Sequence, residues 1–273
     1  MAKKVDKELV IRQLVKSFVL SYSAGFSTRH INEADDPEGT INSKIHNVFI
    51  AALGPDIQYY SSLVRSLDSS LGNMLEKLAI SIAELSYDVH REVVGPLSVE
   101  QTRFIAELLE KYKRRELTPS VADYQWLRTT NKKDEDVNKR HDSDYYLIDN
   151  DNDNRYLIEL KIGGDLDNKK ARSEKEALLE QFTILSNTLG KNEKISIHFA
   201  TAYNRYGEDK PWRQERVKQF FADDELMIGR DFWNFVTKMD NGYEVVISEY
   251  RKNAHVLREA LDEIKATYLG QEQ

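Results

Sequence analysis

The sequence predicts an α/β protein in which a mixed central sheet is flanked by helices. Three observations predict this class. Apolar residues recur at helical spacing through the N-terminal half, two strands surround an Asp- and Asn-rich turn near residue 150, and a helical segment separates that hairpin from a further apolar strand. Hairpin strands are antiparallel and strands joined through a helix run parallel, so the sheet is mixed. The pattern alone also admits an α+β arrangement.

The N-terminal half is predicted to be a helical region. Three segments carry the helical spacing: Leu9 to Tyr22, Ile41 to Leu53, and Tyr59 to Leu85. Ser98 is a good N-cap for a fourth helix that runs to Lys113, and Gln101 completes a capping box. Because no repeat or low-complexity linker divides the chain, residues 1–273 are predicted to form one domain, with a helical N-terminal part at 1–65 and a core at 66–273.

The second half alternates strands and helices. A polar segment at residues 129–140 leads into the hairpin, whose turn runs from Asp149 to Asn154. This turn imitates the start of an EF-hand loop, but Asn154 and Leu160 stand where Gly and Glu are required, so we expect a solvated turn. The later predicted elements are a helix over Lys170 to Leu189, a strand over Ile195 to Tyr203, a short helix near Pro211, and helices over Asp231 to Val236 and Ala254 to Leu269.

The composition limits the classes of function. The chain has no cysteine, which excludes disulfides and thiolate metal sites, so any metal ion is held by oxygen or imidazole. It has neither a signal-peptide h-region nor an apolar run of about 18 residues, which predicts a soluble, cytoplasmic protein without a membrane partner. With a net charge of −7, any contact with nucleic acid must come from local basic clusters.

Two carboxylates and a lysine converge on the predicted hairpin. Glu159 and Lys161 share one face of its second strand, because side chains alternate across a strand. Asp144 stands at the far end of the partner strand. Mg²⁺ prefers carboxylate oxygens and keeps several waters, so Asp144 and Glu159 are the predicted metal ligands. Lys161 would orient the attacking water or offset charge growing on phosphorus, as in the Asp…Glu-x-Lys sites of metal-dependent nucleases.

The hairpin pattern leaves alternatives open. Glu-x-Lys is common on exposed strand faces, and Asp142 competes with Asp144 for the role of first metal ligand. Two features favour a functional site. The strand around Glu159 is too apolar for a sheet edge, and Gly163 and Gly164 follow it at once, where the backbone turns sharply or approaches a ligand.

A helix and a loop supply the other candidate residues. Glu76 shares one side of the third predicted helix with two small residues and is a candidate third catalytic acid, although an ordinary amphipathic helix explains the same pattern. The basic cluster of Lys169, Lys170, Arg172 and Lys175 lies directly downstream of Lys161 and is the best candidate to flank a bound phosphate. The loop at residues 202–213 is predicted to bind DNA through Tyr203, Asn204, Arg205, Tyr206, Lys210 and Arg213.

Together these segments resemble the TdeIII family of type II restriction endonucleases. The matching residues cover most of the chain after about residue 66: Ser70-Leu-Gly72 with Glu76-Lys77 and Ala79, Asp144-Tyr-Tyr-Leu, Glu159-Leu-Lys161, Ala202-Tyr203-Asn204 with Tyr206-Gly207, and Met227-Ile-Gly229-Arg230-Asp231-Phe232-Trp233-Asn234-Phe235. The last two segments are far more specific than Asp…Glu-x-Lys alone. Ile162 departs from the small polar residue expected after the lysine.

The resemblance implies a PD-(D/E)XK nuclease fold in which Asp144, Glu159 and Lys161 are catalytic. It implies Mg²⁺-dependent cleavage of double-stranded DNA at a short palindromic site, with 5′-phosphate ends, in a restriction–modification system that includes a cognate DNA methyltransferase. A homodimer is the simplest way to cut both strands of a palindrome, and residues 1–65 are large enough to supply its interface. The alternatives are a non-sequence-specific repair or recombination nuclease and a catalytically inactive DNA-binding relic.

Overall fold

The computed structural model describes residues 6–128, 137–189 and 193–270. The chain forms two compact units, one of Met1–Leu78 with Glu244–Gln273 and one of Ala79–Tyr243. We call the first the helical unit and the second the sheet unit. Within the described ranges, no helix has both the length and the apolar character needed to cross a membrane.

The helical unit is built from α1 (Lys7–Asn32), the single-turn α2 (Val48–Ala51), most of α3 (Pro55–Ala83) and most of α8 (Gly242–Leu269). One buried cluster of this unit consists of Phe26, Ile41, Tyr59, Leu63 and Ile264. The helices predicted over residues 9–22, 59–85 and 254–269 are confirmed, and α1 and α8 are longer than predicted.

The helix predicted over residues 41–53 is wrong in extent. The segment forms a 3₁₀ turn at Asn42–His46 and then α2. Asn47 separates the two because its backbone has ψ 89° and its side chain accepts a hydrogen bond from the Ile50 amide, which starts a new helix. The apolar side chains of Val48 and Phe49 are exposed, so no core holds a longer helix together.

The sheet unit is built on five strands that lie side by side in chain order: β1 (Tyr87–Leu97), β2 (Val137–Asp149), β3 (Arg155–Lys161), β4 (Ile195–Thr201) and β5 (Leu226–Ile228). The pairs β1–β2 and β2–β3 are antiparallel, and β3–β4 and β4–β5 are parallel. Its helices are α4 (Val99–Lys113), α5 (Asn168–Leu189), α6 (Glu215–Lys218) and α7 (Arg230–Thr237). This mixed sheet flanked by helices confirms the predicted α/β class.

Helices pack on both faces of the sheet. Leu157 and Phe199 lie in one buried cluster with Phe182 of α5. On the opposite face, the Tyr156 ring meets Phe235 of α7 edge to face, with ring centroids 4.8 Å apart. Leu157 and Tyr156 are neighbours in β3, so their side chains point to opposite faces. We call these the α5 face and the α7 face.

The hairpin turn forms where the sequence predicts it, but it is not fully solvated. The Asp149 amide donates to the Asn154 carbonyl at 2.9 Å, which closes the turn. The Asp149 side chain is buried, contrary to expectation, because Lys238 Nζ lies 2.5 Å from its Oδ1 and 2.6 Å from Asp151 Oδ2. A lysine from α7's C-terminal end therefore balances the charge of the acidic turn.

Candidate active site

A β-bulge in β2 contains Asp144. His90 of β1 pairs with Tyr146 and Glu92 pairs with Asp142, so residues 143–145 lie opposite a single residue of β1. Bulges of this kind bend a strand and re-aim its side chains, and they recur beside active sites. The carboxylate of Asp144 is turned toward β3, where its Oδ2 accepts a hydrogen bond from the Leu160 amide at 3.3 Å.

Asp144 is the acid that lies beside Glu159. The β2–β3 register pairs Tyr145 with Ile158, and one further step along it sets Asp144 opposite Glu159. Asp142 is exposed, precedes the bulge in β2 and pairs with Glu92 of β1. The structure therefore favours Asp144 over Asp142 as the first acid of the cluster.

Lys161 is held between two carboxylates. Its Nζ forms an ion pair with Glu159 Oε1, two residues earlier on the same face of β3, and lies 3.2 Å from Glu174 Oε1 of α5. The Glu159 side chain is only 13% exposed, whereas Lys161 is 33% exposed. The cluster thus lies on the α5 face and reaches solvent through the lysine.

The cluster of Asp144, Glu159, Glu174 and Lys161 has more acidic than basic side chains. Burial, with the neighbouring charges of Asp144 and Glu174, raises the pKa of Glu159 to about 8. Burial opposes protonation of Lys161, but Glu159, Glu174 and Asp144 outweigh it and raise the pKa of the lysine above its ordinary value. Three carboxylates face one ammonium group, so the site favours additional positive charge.

The donor set fits a hard divalent cation. Asp144 and Glu159 together offer carboxylate oxygens, and two acids suffice for Mg²⁺ when substrate oxygens and waters complete its coordination. Across residues 6–128, 137–189 and 193–270, no group of three or more His, Asp or Glu side chains is arranged to hold a metal ion. A cation here would therefore rest on Asp144, Glu159 and non-protein ligands.

Two glycines let the chain pass closely under the neighbouring loop after β3. Gly164 has φ +65°, and a Cβ on it would lie 2.7 Å from Thr201 Cγ2 and 3.1 Å from the Trp212 ring. A Cβ on Gly163 would lie 2.7 Å from the Tyr203 hydroxyl. Gly164 therefore requires glycine for both its backbone conformation and its close neighbours, whereas at Gly163 a Cβ would displace only the end of the Tyr203 side chain.

The loop at residues 202–213 is held rigid by two of its own side chains. The buried Asn204 amide donates to the Lys210 carbonyl at 2.7 Å, and its Oδ1 accepts from the Tyr206 amide at 3.0 Å. The Glu208 carboxylate accepts hydrogen bonds from two backbone N–H groups. One is that of Asn204, at 2.7 Å, and the other is that of Arg230, at 3.1 Å, at the start of α7. The two most specific sequence segments, around Asn204 and Gly229, are thus joined through Glu208.

The chain matches the model of a known protein family. The model for the type II restriction endonuclease HinfI matches residues 7–254, which is most of the chain. The chain belongs to the HinfI family of type II restriction endonucleases. Searches of curated proteins and of solved structures find no match. Membership in the HinfI family implies a DNA nuclease, and so a hydrolase that binds double-stranded DNA.

The family match refines the resemblance noted in the sequence. It confirms a type II restriction endonuclease, but the matching family is HinfI and gives no support to TdeIII in particular. The fold agrees with it, since a mixed sheet flanked by helices carries the candidate residues of this HinfI-family chain. The roles of individual residues remain predictions.

The residues predicted to bind DNA differ in their exposure to solvent. Those with exposed side chains are Lys169, Lys170, Tyr203, Arg205, Tyr206, Lys210 and Arg213. Arg205 is partly engaged, because its Nη1 lies 2.8 Å from Asp165 Oδ2. Asn204 is buried and its amide is used within the loop.

The inclusion of Lys175 in the basic cluster is wrong. Its side chain is fully buried, and its Nζ lies 2.5 Å and 2.6 Å from the two carboxylate oxygens of Glu225. Glu225 also accepts a hydrogen bond from the Tyr124 hydroxyl at 2.7 Å. Lys175 is therefore part of the core under α5 and cannot reach a phosphate.

Sequence reasoning missed Glu174 as a member of the cluster. The available signal was its position next to the buried stripe of α5, three residues after Ala171 and four before Leu178. Glu76, which was predicted as the third acid, is half-buried on α3 in the helical unit. Its catalytic role stays a prediction. Of the polar segment predicted at residues 129–140, positions 129–136 lie outside the described residues.

Proposed function

We propose that this HinfI-family chain hydrolyses phosphodiester bonds of double-stranded DNA at a site of the PD-(D/E)XK type, with Asp144, Glu159 and Lys161 as its catalytic residues. The observation that carries the proposal is the convergence of two carboxylates and a lysine on one face of a bulged hairpin. The products expected from this chemistry carry 5′-phosphate ends.

Each residue of the cluster has a distinct task in this reaction. Asp144 and Glu159 would hold Mg²⁺, which when bound polarises a phosphoryl oxygen and lowers the pKa of a water ligand. Lys161 stays protonated because its carboxylate neighbours raise its pKa, so it can donate a hydrogen bond to the phosphate and offset the charge that grows on it. Glu174 holds the lysine from α5.

Sequence-specific recognition is proposed for the loop at residues 202–213. Asn204 and Glu208 fix its backbone, so its exposed side chains are presented without a large loss of entropy on binding. Arg205 and Tyr206 are suited to base edges and stacking, and Lys210 and Arg213 to phosphates. The target expected of a type II enzyme is a short palindrome, and a cognate methyltransferase would protect the same site.

A homodimer is proposed for cleavage of both strands, with its interface in the N-terminal part of the chain. The described part of each chain carries a single such cluster, and duplex DNA has two strands to cut. The side chain of Phe49 is 83% exposed, and Val48, Leu53 and Val64 are also exposed, which is the composition of an interface rather than of a solvated surface.

Light scattering of the purified protein tests the dimer. Phe49→Asp is expected to shift the mass from dimer to monomer, whereas Gln13→Asp, which adds the same charge at an exposed polar position of α1, leaves it unchanged. A wild-type protein that is monomeric at micromolar concentration would overturn this part of the proposal.

Digestion of several unrelated unmethylated plasmids tests the activity. Discrete fragments with Mg²⁺, absent with EDTA and with Lys161→Ala, are expected, and ligation of those fragments without prior phosphorylation would establish 5′-phosphate ends. A smear would instead indicate a non-sequence-specific nuclease. Intact DNA under all conditions would indicate a DNA-binding protein without catalysis.

A further inference from the structure

A polar cavity in the helical unit is lined by positive charge. Its volume is about 520 Å³, and its cations are Arg29 of α1, Lys44 of the 3₁₀ turn and Arg65 of α3. Within the described residues no carboxylate lines it; the other lining residues are five serines, one threonine and two asparagines. A concentration of cations and hydroxyl donors is unusual in a chain whose net charge is −7, and it is the donor chemistry of a phosphate site.

One buried hydroxyl beside this cavity has no hydrogen-bond partner among the described residues. Ser62 is 4% exposed, and its Oγ makes no hydrogen bond within the described part of the chain. A buried polar group without a partner destabilises the folded state, so such groups usually have an unseen ligand or water. Ser62 is one of the residues that line the cavity, so a rotation of this buried hydroxyl toward the cavity would let a bound oxygen atom accept its hydrogen bond.

The cavity wall is arranged before any ligand binds. Along α3, Ser62, Ser66 and Ser69 follow one another at spacings of four and three, so they share a face of the helix. Across from them, Arg29 Nη2 donates to Ser66 Oγ at 2.5 Å, and the guanidinium rests over the Phe26 ring at 5.5 Å. The guanidinium is thereby fixed, and among the described residues it forms no direct ion pair, although the charge of Glu33 acts on it from a longer distance.

We propose that this cavity binds a phosphate group, and that the group is a backbone phosphate of duplex DNA. Lys44 and Arg65 form no ion pair among the residues that the structure describes, so both charges are free to meet an anion. The volume exceeds that of one phosphate group, so the adjoining sugar of a phosphodiester fits as well. The choice of DNA rests on the proposed function, whereas the affinity for phosphate does not.

Thermal unfolding in inorganic phosphate tests the cavity itself. At constant ionic strength, the wild-type Tm is expected to rise as phosphate replaces chloride, and the rise to shrink in Arg65→Ala and Lys44→Ala. Lys16→Ala, which removes an exposed charge of the same unit outside the cavity, should retain the full rise. An equal rise in all four proteins, or none in the wild type, would overturn the site.

Ser62→Ala separates ligand binding from folding. Because the hydroxyl has no partner among the described residues, this variant should unfold at the wild-type Tm or higher without phosphate, and yet gain less from phosphate. A variant that loses Tm without phosphate and gains as much as the wild type from it would show that the hydroxyl serves the fold alone.

Binding of a fluorescent 30-base-pair duplex in EDTA identifies the source of the phosphate. Arg65→Ala is expected to weaken binding on any sequence and to reduce the slope of log K against log salt by about 1. A phosphate-dependent Tm with an unchanged slope would overturn DNA as the source and leave a site for free phosphate. Cleavage is not measured in these experiments, so failure of the catalytic proposal would appear separately, as normal DNA binding without hydrolysis.

Discussion

Glu174 Oε1 lies 3.2 Å from Nζ of Lys161, and this contact joins α5 to strand β3. Without it, Glu159 would be the one carboxylate described in contact with the Lys161 ammonium group. If Glu159 then moved to bind a metal ion, the lysine would move with it. With it, Lys161 would keep a second anchor when the proposed metal ion binds Glu159. The contact therefore assigns Glu174 a positioning role in the proposed site.

Glu174→Gln should slow cleavage without preventing it. Loss of a charged anchor behind a functional group typically costs about 10- to 100-fold in activity. Single-turnover rates with saturating protein measure this, and Glu176→Gln, which changes the same residue type on the same helix without touching Lys161, should cut at the wild-type rate. Equal rates for the two variants would show that Glu174 does not position the lysine.

A divalent cation should stabilise the folded protein through the two carboxylates. A ligand that binds only the folded state at 100 times its Kd adds about 2.7 kcal/mol to the free energy of unfolding. Ca²⁺ is therefore expected to raise the wild-type Tm, and the rise should be lost in Asp144→Asn and retained in Asp142→Asn. A rise in Tm that is lost in Asp142→Asn and retained in Asp144→Asn would show that Asp142, and not Asp144, binds the cation.

Gly164→Ala should destabilise the sheet unit. A side chain at φ +65° is strained, and its Cβ would meet Thr201 and Trp212, so a loss of more than about 1 kcal/mol is expected. Gly25→Ala provides the control, because Gly25 lies within α1 and a methyl group added there would meet no atom within 4 Å, so alanine should add about 0.5–1 kcal/mol. Urea unfolding of both variants would settle the comparison, and a neutral Gly164→Ala would contradict the close packing described.

The buried ion pair at the hairpin turn should make stability depend on acid pH. Burial opposes ionisation of Asp149, but Lys238 and the Asp151 amide outweigh it and lower the pKa of the carboxyl. A lowered folded-state pKa gives stability that is present above the unfolded value of about 3.9 and is lost as pH falls through the folded value. Asp149→Asn should therefore cost about 1–3 kcal/mol near pH 7, with a difference from wild type that shrinks below about pH 4.

Asp153→Asn is the matched control for the turn. Asp153 is exposed, has φ 59°, and makes no side-chain contact with Lys238, so the change should be nearly silent at every pH. Asparagine also tolerates this backbone conformation well. If both variants lost the same stability with the same pH dependence, the Lys238 contact could not be the cause.

The parts of the fold that depend on local sequence could be predicted. The cap at Ser98 and the hairpin turn at Asp149 follow from neighbouring residues, and both form at the positions where the sequence predicts them. Asp144, Glu159 and Lys161 converge because a hairpin register is fixed by its own turn. The candidate site could be predicted from the sequence for the same reason.

The parts that depend on distant contacts could not be predicted. Strand β1 carries charged residues among its apolar ones and obscures the alternation, and β5 has only three residues. The burial of Lys175 depends on Glu225, fifty residues later, and the contact of Glu174 depends on how α5 packs on β3. Neither partner can be read from spacing along the chain.

Single-turnover cleavage by Lys161→Ala and Glu159→Gln, measured beside the DNA affinity of each variant, tests the central claim most directly. The rate of hydrolysis is expected to fall by at least about 10²–10³-fold while DNA binding and Tm are largely preserved. Lys111→Ala, at an exposed position of α4, should cut normally. Wild-type cleavage by either site variant would show that the hydrolysis takes place elsewhere in the protein.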